Sequence, residues 1–85
     1  MQAKELTINS VDGLRASKAA MFVQVAGRFN SRILVEKGNK KINAKSIMGV
    51  LSLGVKQGEK IYIFANGDDE EEAISAIEKL VNTSF

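Results

Sequence analysis

Three places in the sequence carry side chains whose type and spacing could do chemistry: Ser46, the run Arg15-Ala16-Ser17-Lys18, and the carboxylates from Asp68 to Glu72. After Ser46 come Ile47-Met48-Gly49-Val50-Leu51-Ser52-Leu53-Gly54, and a serine in the N-cap slot with a glycine at the stop predicts a short helix over roughly 47–53. A hydroxyl at a helix start faces backbone N–H groups without intrahelical partners, so negative charge there is favoured by roughly 0.3–1 kcal/mol. A phosphoryl group on Ser46 would add about −1.5 to −2 charge near neutral pH. That is enough to cancel the formal net charge of +2 of the whole chain, next to Lys45 and near Lys40 and Lys41. Ile47, Met48 and Leu51 follow at helical spacing, and methionine is common in adaptable docking surfaces. Two readings stay open: a phosphorylated switch beside a docking patch, or a plain N-cap ahead of core residues. Helix-start serines are commonplace, so spacing by itself favours the second.

The turn Asp12-Gly13-Leu14-Arg15-Ala16-Ser17-Lys18 delivers Arg15, Ser17 and Lys18 to the first turn of a longer helix. Cations there oppose the macrodipole unless an anion offsets them, so the turn is either an anion cradle or a solvated basic loop. The carboxylates from Asp68 to Glu72 point about 100° apart on a helix and make poor metal ligands, which leaves capping and solubility as their role. No metal and no cofactor are expected. The chain has no His and no Cys. That removes the commonest general base, phosphoryl acceptor and metal ligand, together with thiol nucleophiles and disulfides. Ser17 and Ser52 have no His to activate them, and Lys18 would have to be desolvated to act as a base. An enzyme acting alone is the least expected outcome.

The elements that must position these residues follow from periodicity. Lys4-Glu5-Leu6-Thr7-Ile8 alternates and predicts a half-buried strand; Ala19, Phe22, Val23, Ala26 and Phe29 recur at three and four residues and predict a helix from Ala16 to Phe29. Ser31 to Lys37 and Lys40 to Asn43 flank Gly38-Asn39 as a hairpin. Lys60 to Ala65 is apolar on both faces, as a central strand is. Asp69-Glu70-Glu71-Glu72 opens a last helix in the manner of a capping box, and Ala73, Ile74, Ile77, Leu80 and Val81 form its stripe. The order is βαββαβα, an α+β sandwich with helices on one face of a mainly antiparallel sheet.

Eighty-five residues, with 45% hydrophobic and 26% charged, allow one domain, residues 1–85, and argue against disorder. The longest apolar runs, Ala19 to Val23 and Ile61 to Ala65, are far short of the roughly 20 residues of a membrane span, and no secretory leader is evident. The chain reads as cytoplasmic. Residues 15–60 hold ten of the twelve basic residues, yet these sit on several elements and Tyr62 is the only Tyr, so direct nucleic-acid binding is not expected.

Taken together, Val11-Asp12-Gly13-Leu14-Arg15-Ala16-Ser17-Lys18-Ala19-Ala20 resembles the active-site turn of the phosphocarrier protein HPr family. Lys45-Ser46-Ile47-Met48-Gly49-Val50-Leu51-Ser52-Leu53-Gly54 resembles that family's regulatory segment. The resemblance covers essentially the whole chain and implies an HPr-like open-faced sandwich, a four-stranded antiparallel sheet with helices on one face. It also implies that Ser46 is the target of an HPr kinase/phosphorylase, which reverses the balance between the two readings of that residue. Family carriers hold a His where Arg15 stands, an Arg at Ser17 and a Pro at Lys18. A guanidinium stays protonated and offers no lone pair to a phosphoryl group, so Arg15 marks a degenerate carrier position. The same loss characterises the family's catabolite repression branch, Crh, although Gln is usual there and the adjacent Arg is kept. That likeness implies a non-catalytic corepressor of a LacI-type catabolite control protein. Ile47, Met48 and Leu51 would dock, Ala20 and Gln24 would form the rim, and Arg15, Ser17, Lys18 and Lys45 are the expected anion or partner contacts. A binding module that works without phosphorylation is the alternative. The oligomeric state is not legible, and exchange of the first strand between copies is conceivable at a sheet edge.

Overall fold

The computed structural model describes residues 1–84. Along the chain it has β1 (Gln2–Thr7), α1 (Ala16–Ala26), β2 (Arg32–Lys37), β3 (Lys40–Asn43), α2 (Ile47–Ser52), β4 (Lys60–Asn66) and α3 (Glu70–Ser84). The strands form one antiparallel sheet in the order β1-β4-β2-β3. Both neighbours of β4 are set in register, with Lys4 opposite Ile63 on one side and Val35 opposite Ile63 on the other. This explains the doubly apolar pattern of β4. Its alternation buries Ile61, Ile63 and Ala65 under the helices and turns Tyr62 and Phe64 to the open face. Leu34 lies opposite Phe64 on that open face, and Lys41 Nζ sits 4.5 Å above the Phe64 ring.

All three helices cover the other face. Ala19, Phe22 and Ala26 of α1, Val50 of α2, and Ala73, Ile77 and Val81 of α3 join Leu6, Ile33 and Val35 of the sheet in one core. Several boundaries differ from the periodicity reading, β2 starting at Arg32 and β4 running on to Asn66 among them. α1 ends at Ala26 rather than Phe29, because Arg28 and Phe29 bond three residues back, to Val25 and Ala26, in a tightened turn. β1 starts at Gln2, since Gln2 pairs with Ala65. Ile8 leaves the ladder and is fully buried, held by the Glu59 carbonyl and the Gly58 N–H. α2 stops at Ser52, with Leu53 as its C-cap.

The capping box at α3 is also corrected. Glu70 Oε1 accepts the Gly67 N–H at 3.1 Å, but the Asp69 carboxylate turns away from its own helix to Asn30 and Ser31. Both carboxyls are held below their ordinary pKa, Asp69 chiefly by the Ser31 hydroxyl and Glu70 chiefly by the Gly67 N–H.

Candidate functional site

Ser46 occupies the N-cap of α2 in extended geometry, φ −105° and ψ 115°. Its Oγ accepts the Gly49 N–H at 3.1 Å, its carbonyl accepts Val50 N–H at 2.9 Å, and its own N–H donates to the Asn43 carbonyl at 3.1 Å. Asn43 Oδ1 takes the Lys45 N–H at 2.8 Å, so the β3–α2 corner is fixed on both sides of the serine. The residue is half-buried; the hydroxyl is anchored but not sealed in the core.

The lysines near Ser46 in sequence are all engaged by the protein itself. Lys45 Nζ donates to the Phe29 carbonyl at 2.6 Å, tying the corner to the turn after α1. Lys40 Nζ reaches the Ser52 carbonyl at 3.3 Å, and Lys41 lies on the open sheet face over Phe64. Lys37 Nζ donates to the carbonyls of Leu53 (3.2 Å) and Gly54 (3.1 Å) and pairs with Glu59 at 3.0 Å. These cations satisfy the last carbonyls of α2, where positive charge suits the backbone. Glu59 is held below its ordinary pKa chiefly by the Lys56 N–H, 2.7 Å away, and next by Lys37.

Downstream of the serine, α2 splits its apolar residues between two directions. Val50 is fully buried and Leu53 nearly so, whereas Met48 is 73% exposed and Ile47 and Leu51 are each 39% exposed. The reading of Ile47, Met48 and Leu51 as core therefore fails; they form an outward apolar patch. α1 packs beside α2 and presents Ala20 and Gln24 to solvent. The residues expected to dock thus lie on the exposed surfaces of two adjacent helices.

Arg15 is the N-cap of α1, extended and without a side-chain cap, and Ala16 takes φ 51°, the single positive φ outside glycine among the described residues. Ser17 is exposed and Lys18 half-buried. Gly13 explains how this turn is held: with φ 67°, its Cα lies so close to the next loop that an added Cβ would meet the Val55 carbonyl oxygen at 2.1 Å. Leu14 N–H donates to that same oxygen at 3.0 Å. The consequence is a cleft of about 340 Å³ in which Val11, Asp12 and Arg15 face Val55, Lys56 and Gln57. Lys56 and Gln57 escape the sequence reading, because Val55-Lys56-Gln57-Gly58 has no periodicity and its one local mark is a glycine turn. Among the described residues, no group of three or more Asp or Glu is placed to hold a metal ion, and no helix is long and apolar enough to cross a membrane.

The family profile described as "PTS HPr component phosphorylation site" matches residues 2–83. The chain is 47% identical over 77 residues to the HPr-like protein Crh of Halalkalibacterium halodurans, covering 91% of this chain and 92% of that protein. It is 44% identical over 77 residues to the HPr-like protein Crh of Bacillus subtilis, covering 91% of each. The crystal structure of HPr-C-His from Thermoanaerobacter tengcongensis superposes with a TM-score of 0.97 at 53% identity, over 100% of this chain and 96% of that one.

Proposed function

This chain belongs to the HPr family, and from that premise we propose that it is a regulatory adaptor without catalysis of its own, switched by phosphorylation of Ser46. An HPr kinase/phosphorylase carries out the transfer. Ser46 Oγ forms the new bond to the γ-phosphorus of ATP, ADP leaves, and the hydroxyl proton passes to a base on the kinase. The phosphoprotein then acts as corepressor of a LacI-type catabolite control protein in the cytoplasm. Basic groups of that regulator pair with the phosphate, Ile47, Met48 and Leu51 fill an apolar pocket, and Ala20, Gln24 and Arg15 form the rim. Arg15 cannot relay a phosphoryl group, since its guanidinium has no lone pair to accept one.

The observation that carries this reading is the junction at residue 46: a half-open N-cap hydroxyl directly ahead of Met48, which is 73% exposed. Incubation with the kinase and ATP is expected to add one phosphate by intact mass, and none to Ser46→Ala. Equal labelling of Ser46→Ala refutes the site. Titration of modified and unmodified protein against the catabolite control protein tests the switch. Equal affinities would assign the chain to the phosphorylation-independent binding modules instead.

A further inference from the structure

Gly49 lies one helical turn beyond Ser46, in the interior of α2. Its backbone is not in the left-handed region, unlike Gly13, Gly38, Gly54, Gly58 and Gly67, so conformation does not require glycine there. Helix stability runs against it as well, because glycine is a poorer helix former than alanine. The one thing that glycine supplies at this position is space. A Cβ on Gly49 would stand 3.3 Å from Ser46 Oγ and 3.4 Å from both Cβ and Cδ1 of Ile42. The approach to Oγ is tighter than most contacts of a Cβ, and the approach to Ile42 is at the edge of ordinary van der Waals contact. A methyl group would therefore rest against Ile42 of β3 and press on the serine hydroxyl. The hydroxyl would have to yield by a few tenths of an ångström, loosening its 3.1 Å bond to the Gly49 N–H.

We infer that Gly49 is a positioning residue for modification of Ser46: its missing Cβ leaves Oγ undisplaced and the Gly49 N–H uncovered toward the phosphoryl group that Oγ receives. This rests on the reading of Ser46 as a phosphorylated residue. Phosphoryl transfer depends on the attacking oxygen lying in line with the phosphorus, and a misplacement of about 1 Å costs on the order of a hundredfold in rate. A residue that displaces and partly shields Oγ thus acts on the transfer step and not on docking. The exposed apolar residues Ile47, Met48 and Leu51 are not among the atoms nearest a Cβ at Gly49.

Steady-state phosphorylation of the full chain by an HPr kinase, with thermal melts alongside, tests this. For Gly49→Ala, kcat is expected to fall by about tenfold or more, with KM within about twofold of wild type. The melting temperature should stay within a few degrees of wild type, since the helix preference of alanine offsets the loosened cap. A kcat within about twofold of wild type overturns the inference and leaves the Ser46 reading standing. Adding Ile42→Val removes Cδ1 and lets the new methyl lean away from the serine, so part of the lost kcat should return; no recovery overturns the steric account. If the wild-type chain takes up no phosphate at residue 46, the functional reading fails. The inference is then tested on protein with phosphoserine installed at position 46 by semisynthesis. Its phosphate titrates near pH 6 when free, and the midpoint by phosphorus NMR is expected to be lower with Gly49 than in Gly49→Ala. Equal midpoints overturn it.

Discussion

The carboxylate of Asp69 closes on Ser31: Oδ1 accepts both the Ser31 N–H at 2.9 Å and the Ser31 hydroxyl, while Oδ2 accepts the Asn30 N–H at 2.8 Å. The turn after α1 is thereby tied to the start of α3, across a serine that is 1% exposed. Gly67 leaves room for the tie, since a Cβ there would meet Ser31 Oγ at 2.6 Å.

That tie makes stability depend on acid pH. The hydrogen bonds favour the carboxylate, so the folded pKa of Asp69 lies below its ordinary value. A depressed folded pKa contributes stability that is fully present above the unfolded pKa, about 3.9, and is lost as pH falls through the folded value. Glu59 and Glu70 are depressed in the same direction and add to the trend. Asp69→Asn is expected to melt several degrees below wild type at neutral pH, with the gap closing once Asp69 itself is protonated. Thermal melts across the acid range check this; a gap independent of pH contradicts it.

Gly13 and Gly38 both have positive φ, but only Gly13 has backbone against it. Gly38→Ala is expected to lose about 1–2 kcal/mol, the conformational cost of the left-handed region alone. Gly13→Ala adds a collision with the Val55 carbonyl and should lose about 3 kcal/mol or more, within reach of unfolding the domain. Urea denaturation of the two variants separates the terms, and equal losses would mean that the Val55 loop simply moves aside.

Ala16 is strained by its φ of 51°. Ala16→Gly relieves the clash between Cβ and backbone, partly offset by the greater freedom of glycine in the unfolded chain, for a net gain of about 0.5–1 kcal/mol. A loss of stability in urea melts would show that the rest of α1 needs a helix former at this position.

On α2, exposure separates docking from packing within three residues. Met48→Ala should change stability by no more than about 0.5 kcal/mol. It should weaken binding of the phosphorylated protein to the control regulator by about tenfold, as loss of a docking anchor does. Val50→Ala removes buried apolar surface and should cost about 2 kcal/mol of stability. Calorimetric titration and chemical melts of both proteins decide it; the reverse pattern would turn the helix over.

Much of this architecture is legible locally. The element order, the hairpin around Gly38-Asn39, the central place of β4 and the cap role of Ser46 follow from period, turn residues and a hydroxyl ahead of an apolar run. The orientation of α2 is not. Ile47, Met48, Val50, Leu51 and Leu53 are all apolar in a helix of 6 residues and its cap, so no periodicity says which of them face inward.

What the chain's own order of residues determined is therefore each element, its approximate ends and the presence of a serine where an anion would be welcome. Those properties arise from neighbours within a few positions. Tertiary structure alone decided that Asp69 serves Ser31 instead of its own helix, that Lys45 serves Phe29, that Lys56 and Gln57 face Arg15, and that Gly49 lies against Ile42. Each of these joins or opens space between atoms set by the packing of separate segments, where several partners of equal local merit compete and only the assembled core selects among them.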